Sequence, residues 1–335
     1  MRGRSCAHHP APARAGSSVP APARLADVYS YLGPAGTFTW AALAQVPEAA
    51  GEEWRSVNNV GEALDDVVSG RSTAAMIAIE NSVEGGVSAT QDALANIPGL
   101  RIVGEYLVAV NFQLVGRPGT RLEDVKVINA HPVAYAQCHL WLDATLPSHG
   151  HIPSTSNVAA PAELLESRNA DAAIAPPGIT EHLPLVVLAE DIADNPEAVT
   201  RFVLVSRSRA IPPRTGADKT SVIVELPTDQ PGALVEMLEQ FATRGVNLSL
   251  LESRPIGDAL GRYRFIVDLD GHVLDERVAD ALLGLKRFSP SVQFLGSYPR
   301  ADKQRIEVTG RYDDQVFIDA RDWLRDILSG APDAL

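Results

Sequence analysis

Small hydroxyl, glycine and amide side chains recur in this chain where apolar strands run out. Val28-Tyr29-Ser30-Tyr31-Leu32 leads into Gly33-Pro34-Ala35-Gly36-Thr37-Phe38-Thr39. Ala74-Ala75-Met76-Ile77-Ala78-Ile79 leads into Glu80-Asn81-Ser82-Val83-Glu84-Gly85-Gly86. A looser third case, Ser154-Thr155-Ser156-Asn157, opens the alanine-rich stretch from Val158. Each pattern predicts a strand, a loop and a helix start. A helix start presents unpaired backbone N–H groups and the positive end of the helix dipole. Small residues there let an anion approach. Three such loops suggest a cleft that grips a small molecule with more than one carboxylate or phosphate.

The chain as a whole is acidic, with a net charge of −13 over 335 residues. That balance argues against nucleic acid as a partner. It leaves an anionic ligand open, provided the pocket holds its own cations and dipoles. Hydrophobic content of 45% and charged content of 21% fit an ordinary globular chain. The two cysteines, Cys6 and Cys138, lie far apart in no paired motif, which fits a reducing compartment and no structural zinc. No apolar run is long enough to span a membrane. Residues 1–26, rich in Ala, Pro and Arg without a continuous apolar stretch, are expected to be a disordered leader rather than a secretory signal.

The elements that must position these loops alternate between strand and helix. Strands are predicted at Val28–Leu32, Ala74–Ile79, Val125–Asn129, Ala172–Ala175 and Arg201–Ser206, with two more pieces inside Ile102–Val115. Helices are predicted at Val57–Ser69, Val87–Ile97, from His131-Pro132 through Leu142, and at Pro161–Ser167. About 180 residues of mixed α/β exceed one compact sheet, so two lobes with a cleft between them are expected over 27–207. The polar stretch 208–219, with Pro212-Pro213 and Gly216, reads as a linker. Beyond it Ser221–Leu226, Pro231–Arg244, Leu248–Arg254, Tyr263–Leu269, Val273–Leu285 and Val292–Leu295 spell βαββαβ, a ferredoxin-like unit over 220–299. The charged tail 300–335 carries an amphipathic helix, Val316–Leu328, expected to pack on the body or on another subunit.

Four blocks occur in a specific order: Gly33-Pro34-Ala35-Gly36-Thr37-Phe38, Ile79-Glu80-Asn81-Ser82-Val83-Glu84-Gly85, His131-Pro132-Val133-Ala134-Tyr135-Ala136-Gln137-Cys138 and Thr200-Arg201-Phe202. Together they resemble the blocks of the prephenate dehydratases. Gly232-Ala233-Leu234 through Leu238 and Glu252-Ser253-Arg254-Pro255 resemble an ACT domain. The resemblance implies a two-lobed fold like the type II periplasmic binding proteins, followed by a regulatory ACT domain. It implies conversion of prephenate to phenylpyruvate with loss of water and carbon dioxide. It also implies phenylalanine as effector and no cofactor or metal. ACT domains usually pair, so a cytoplasmic homodimer or homotetramer is expected. An arogenate dehydratase, or a binding protein on the same fold without catalysis, are the alternatives.

Carried onto this sequence, the resemblance gives Thr200 the central role at the leaving hydroxyl. Arg201 offers a planar fork for a substrate carboxylate, and Phe202 completes the catalytic motif or packs in the core. Glu80 reads as a general acid or as a support for the loop after it. Gly36, Thr37, Phe38, Asn81 and Ser82 are candidate substrate contacts. His131 reads as a proton shuttle or as a helix-entry turn. Ser154 and Thr155 belong to a block that fits in two registers, so Thr155 and Ser156 compete for one role. Glu84 is expected to cap the following helix. Gly232, Ala233, Leu234, Asn247, Leu248, Glu252, Ser253 and Arg254 are candidate effector contacts, the turn at Asn247 meeting a neighbouring subunit's Gly232 loop. Ala78 and Val133 stand where the family often has proline and glutamine. Ala198 stands where it often has asparagine, which leaves Asn195 as a weak candidate.

Overall fold

A computed structural model describes residues 27–330 except 84, 228–229, 258–261 and 309. The expected leader, Glu84 and the end of the tail therefore lie outside the described residues.

The first lobe is a mixed sheet in the order β2-β1-β3-β11-β5. Its strands are β1 (Val28–Leu32), β2 (Glu53–Val57), β3 (Ala74–Asn81), β5 (Arg101–Ala109) and β11 (Val199–Ser206). The two-residue β4 (Gly85–Gly86) pairs with the end of β3. β1 runs parallel to β2 and β3, whereas β11 runs antiparallel to β3 and β5. One face is covered by α1 (Phe38–Leu43), whose Ala42 and Leu43 pack on Tyr29, Tyr31, Met76, Phe202 and Leu204. The other is covered by α2 (Val60–Ser69) and α3 (Ser88–Asn96), against Ile77, Ile79, Val203 and Val205. The helix predicted from Val57 starts at Val60 instead. Asn59 caps it by accepting from Glu62 N at 2.9 Å, and the Glu62 carboxylate accepts from Asn58 N at 3.0 Å.

The second lobe is a sheet in the order β10-β6-β9-β7-β8. It contains β6 (Gln113–Gly116), β7 (Val127–Ala130), β8 (Gly150–Pro153), β9 (Ala172–Ala175) and β10 (Val186–Ala189). Helix α6 (Ala159–Glu166) packs on β9. The helix predicted through Leu142 is two, α4 (Pro132–Ala136) and α5 (His139–Thr145), broken at Gln137 and Cys138. The chain crosses between the lobes after β5 and returns after β10, so β11 completes the first sheet.

The C-terminal domain is an antiparallel sheet in the order β13-β14-β12-β15. Its elements are β12 (Asp218–Glu225), α7 (Ala233–Ala242), β13 (Leu248–Pro255), β14 (Tyr263–Asp270), α8 (Glu276–Phe288) and β15 (Val292–Pro299), which is βαββαβ. Asp218 and Lys219, read as linker, are the buried first residues of β12. Met237, Phe241, Val278 and Leu285 of α7 and α8 fill one side of the sheet. The other side lies on the first lobe, where Ile223, Leu250, Ile266, Leu295 and Tyr298 share one core with Ile102, Val203 and Val205. Contact there reaches the backbone: a Cβ on Gly296 of β15 would sit 2.2 Å from the Ile102 carbonyl oxygen. Both faces of β11 are thus covered.

Helix α9 (Asp314–Ser329) follows, tied to α8 by Arg321–Glu276 at 2.5 Å and by Asp314 accepting from Glu276 N at 2.9 Å. None of its residues is buried. Among the described residues no helix is long and apolar enough to cross a membrane, and no group of His, Cys, Asp and Glu could hold a metal ion.

Candidate active site

Successive side chains of a strand point to opposite faces, and on β11 this separates the three residues of the Thr-Arg-Phe motif. Thr200 and Phe202 face a cavity between the lobes, while Arg201 faces the C-terminal domain. The partner strand follows suit through a bulge: Arg201 lies opposite Glu80 and Phe202 opposite Ala78, leaving Ile79 as the extra residue. Ala78 therefore lines the cavity with Phe202, and Glu80 turns away with Arg201.

The cavity has a volume of about 390 Å³, within the usual range for small-molecule sites. The first lobe supplies Leu32, Gly33, Thr37, Phe38, Thr39, Asn58, Ala78, Thr200 and Phe202; the second supplies His131, Thr155, Ser156 and Asn157. Gly33 is required by a close approach, since a Cβ there would fall 1.7 Å from Ser56 Oγ. The Thr200 hydroxyl, 8% exposed as a residue, accepts from Asn81 Nδ2 at 2.9 Å. That bond occupies a lone pair and leaves the hydroxyl hydrogen to be donated. Asn81 is itself oriented by accepting from Val83 N at 2.8 Å. Ser82 holds the loop to β11, its N–H donating to Val199 O and its Oγ accepting from Val199 N, both at 2.9 Å.

Two expected ligand hydroxyls are engaged within the protein. Thr37 caps α1, donating to Leu32 O at 3.0 Å and accepting from Trp40 N at 3.2 Å. Ser154 is buried and donates to Glu163 Oε1 at 3.1 Å, away from the cavity. Thr155 and Ser156, the competing registers, both line the cavity, and Ser156 Oγ accepts from Ala159 N at 2.9 Å. His131 Nδ1 accepts from Val133 N at 3.3 Å and caps α4, so the neutral ring carries its proton on Nε2. It is a helix-entry residue and a cavity residue at once. Gly36, at φ +84°, lies beyond Phe38 in a second cavity of about 260 Å³ with Trp40 and His182. Asn58, Thr39 and Asn157 are cavity residues that the sequence did not single out. The Oδ1 of Asn157 is buried without a hydrogen-bond partner.

No Lys, Arg, Asp or Glu lines the main cavity among the described residues. The expected carboxylate fork, Arg201, is a buried interdomain residue. Its Nη1 donates to Asp268 at 2.5 Å and to Glu80 at 3.3 Å, its Nε to Glu105 at 3.0 Å, and its Nη2 to the Tyr298 hydroxyl at 2.9 Å. Lys219 adds a second cation 3.1 Å from Glu105. Burial opposes the charge of Arg201, but Asp268, Tyr298 and Glu105 around it hold its pKa well above the ordinary value. In this geometry Glu80 and Arg201, the candidate general acid and substrate ligand, pair with each other on the face away from the main cavity.

The effector candidates divide as well. Gly232, at φ +96°, is the N-cap of α7, whose first residues are buried Ala233 and exposed Leu234. Asn247 and Leu248 lie beyond the other end of the same ten-residue helix, about 15 Å away at 1.5 Å per residue. One subunit does not bring the two ends together. Asn247 Nδ2 donates to Asp270 at 2.7 Å. Glu252 accepts from Gly86 N at 2.9 Å, and Arg254 pairs with Asp92 at 2.7 Å and donates to Ser88 at 3.1 Å. These two side chains therefore dock the domain on the first lobe, whereas Ser253, of opposite parity, is exposed.

The family model described as prephenate dehydratase matches residues 29–210, and that of the ACT domain matches 220–287. A prephenate dehydratase from Amycolatopsis methanolica is 41% identical over 304 residues, covering 90% of this chain and 98% of the relative. One from Corynebacterium glutamicum is 40% identical over 305 residues, covering 89% and 95%. The crystal structure of prephenate dehydratase from Arthrobacter aurescens, in complex with L-Phe, superposes with a TM-score of 0.87 at 55% identity, over 90% of this chain and 100% of that one.

Proposed function

The chain belongs to the prephenate dehydratase family, with a C-terminal ACT domain, and from that premise we propose that the interlobe cavity binds prephenate with its ring hydroxyl on Thr200. The observation that carries this reading is the Asn81–Thr200 hydrogen bond at the cavity wall. As the bond from the ring to its carboxylate breaks, its electron pair enters the ring and the carboxylate leaves as carbon dioxide. The ring becomes aromatic as the C–O bond to the hydroxyl breaks. Charge grows on the departing oxygen, and a donor aimed at that position stabilises the transition state more than the ground state. Thr200, its lone pair held by Asn81, supplies that donor. A proton from solvent completes the water, and phenylpyruvate remains.

The two carboxylates of prephenate are met by neutral donors: His131 Nε2–H, the Thr155 and Ser156 hydroxyls and the Asn58 and Asn157 amides. A wall without Lys or Arg among its described residues also favours loss of carbon dioxide, since it stabilises the carboxylate less than a cation would. The same lining supports prephenate over arogenate, because no carboxylate stands among its described residues to pair with an ammonium group. The ACT domain serves as the phenylalanine sensor, with the Gly232–Leu234 turn of one subunit facing Asn247 and Leu248 of another across a homodimer or a dimer of dimers. L-Phe bound to the Arthrobacter relative supports this. A cytoplasmic location fits the buried free thiol of Cys138.

Phenylpyruvate formation from prephenate and from arogenate, each with and without phenylalanine, tests the reading. Turnover of prephenate well above arogenate, altered by phenylalanine, is the expected result. Equal or better turnover of arogenate would overturn the substrate assignment. A response to phenylalanine without turnover of either would overturn the catalytic one.

A further inference from the structure

The pairing of β3 with β11 puts two cross-strand pairs side by side: Thr200 opposite Asn81, and Arg201 opposite Glu80. The first pair is the hydroxyl and its amide partner at 2.9 Å. The second is joined by the Arg201–Glu80 contact at 3.3 Å. Immediately beyond them the ladder is interrupted by the bulge between Arg201 and Phe202. On its other edge β11 pairs with β5 without interruption from Val199 to Leu204, so it is the β3 side, which carries Asn81, that backbone pairing holds less firmly than a continuous ladder would. The side chain of Arg201 reinforces that side, and two of the four groups that hold Arg201, Asp268 and Tyr298, come from the ACT domain.

Asp268 on β14 takes its Nη1 and Tyr298 on β15 takes its Nη2. Ser221 on β12 closes the ring: its hydroxyl donates to Asp268 Oδ1 at 2.5 Å, so the Tyr298 hydroxyl, 2.6 Å away, donates to Ser221 while accepting from Arg201. Asp268, Tyr298 and Ser221 are each at most 1% exposed. Every polar atom of the ring has its partner, the condition under which a buried network specifies one arrangement. A planar guanidinium held at three nitrogens cannot rotate or slide without breaking several of these bonds at once.

We propose that Asp268 and Tyr298 are positioning residues for the reaction in the cleft, acting through Arg201 to fix the strand end that aims the Thr200 hydroxyl. The ACT domain thereby completes the catalytic lobe of its own subunit. This rests on Thr200 serving the leaving hydroxyl. The same strand connects to the expected effector turn, since Asp270, two residues beyond Asp268 on β14, accepts from the Asn247 side chain at 2.7 Å and from Arg300 at 2.9 Å. A displacement of the Asn247 turn would thus be felt at Asp268.

Steady-state kinetics with prephenate on the full-length chain separates positioning from general loosening of the interface. Asp268→Asn should lower kcat by about 10- to 100-fold, the scale of a misplacement of about 1 Å, with KM within about twofold. Tyr298→Phe, which keeps shape and removes one hydroxyl, should lower kcat less and in the same sense. Asp92→Asn, which breaks another interdomain ion pair, with Arg254, away from Thr200, should leave kcat within about twofold. Wild-type kcat in folded Asp268→Asn and Tyr298→Phe would overturn the proposal, as would an equal loss in Asp92→Asn. If Asp268→Asn does not fold, Tyr298→Phe against Asp92→Asn decides. A Thr200→Val variant is run alongside: full turnover there overturns the Thr200 assignment, whereas its inactivity with normal Tyr298→Phe and Asp268→Asn overturns only the positioning role.

Discussion

Asn81→Asp changes one atom and reverses the direction of one hydrogen bond. In the wild type Asn81 Nδ2 donates to Thr200 Oγ1 at 2.9 Å, while Oδ1 accepts from Val83 N at 2.8 Å. The introduced carboxylate retains the second contact and cannot make the first. Thr200 then donates to the carboxylate, and its hydrogen turns away from the cavity. A neutral hydrogen bond contributes about 0.5–1.5 kcal/mol and one to a charged acceptor about 1.5–3 kcal/mol. The variant loses the former and must break the latter before Thr200 can serve the leaving oxygen, a combined cost of about 2–4.5 kcal/mol. At about 1.36 kcal/mol per decade, kcat should fall roughly 30- to 2,000-fold. The assay is phenylpyruvate formation at saturating prephenate, with the thermal midpoint as a control. Because the Val83 contact survives, that midpoint should move by no more than about 2 °C. In a Thr200→Val background the same change should cost no more than about twofold, because the two residues act as one unit. A kcat for Asn81→Asp near wild type, or an undiminished loss in the Thr200→Val background, would refute the reasoning.

Three further outcomes follow from the same geometry. With no Lys or Arg lining the cavity among the described residues, KM for prephenate should not rise when ionic strength goes from about 0.1 M to about 1 M and the screening length falls from about 10 to about 3 Å; a tenfold rise would show a charged side chain holding the dianion. Asp302, bidentate with Arg300, has its carboxyl held down to about 2 by that hydrogen bond. Its contribution to stability is complete above about pH 4 and is lost as pH falls through about 2. Asp302→Asn should lower the urea midpoint at neutral pH and flatten its dependence over that interval, and unchanged slopes would contradict the pairing. Gly296→Ala would place a Cβ 2.2 Å from the Ile102 carbonyl oxygen, so it should cost about 1–3 kcal/mol and increase protease cleavage within 208–217; an unchanged midpoint and cleavage rate would mean that β15 does not lie on β5.

The strands that carry the site were legible because burial on both sides gives them continuous apolar runs. Ala74–Ile79 and Arg201–Ser206 are central strands of the first sheet. The strands that the sequence did not reveal, Glu53–Val57, Gly150–Pro153 and Val186–Ala189, are all sheet edges. Their residues are half-buried or exposed for the most part, so neither an apolar run nor a clean alternation marks them. Helix α1, at six residues, is too short for periodicity to register.

At the site, the motif Thr200-Arg201-Phe202 was visible as a unit, but its division between two faces was not. Strand parity separates Thr200 from Arg201; it does not say which face is the cleft when both faces are covered. The cover on the Arg201 side is a second domain whose Asp268 and Tyr298 lie 67 and 97 residues further along the chain. The same limit applies to Glu252 and Arg254: the motif offers them as effector contacts, and only the fold shows that their common parity also groups them against the first lobe. Asn58 lay in no motif and Asn157 in the looser third loop, and only the closing of the lobes brings them to one wall.

The central claim is that the Thr200 hydroxyl, held by Asn81, stabilises the departing hydroxyl of prephenate. Replacing Thr200 by valine removes the oxygen and keeps the branched shape, so kcat and KM for prephenate measured on Thr200→Val test it most directly. A kcat lower by at least about 100-fold with KM within about threefold is the predicted result. Turnover within about twofold of wild type would contradict it.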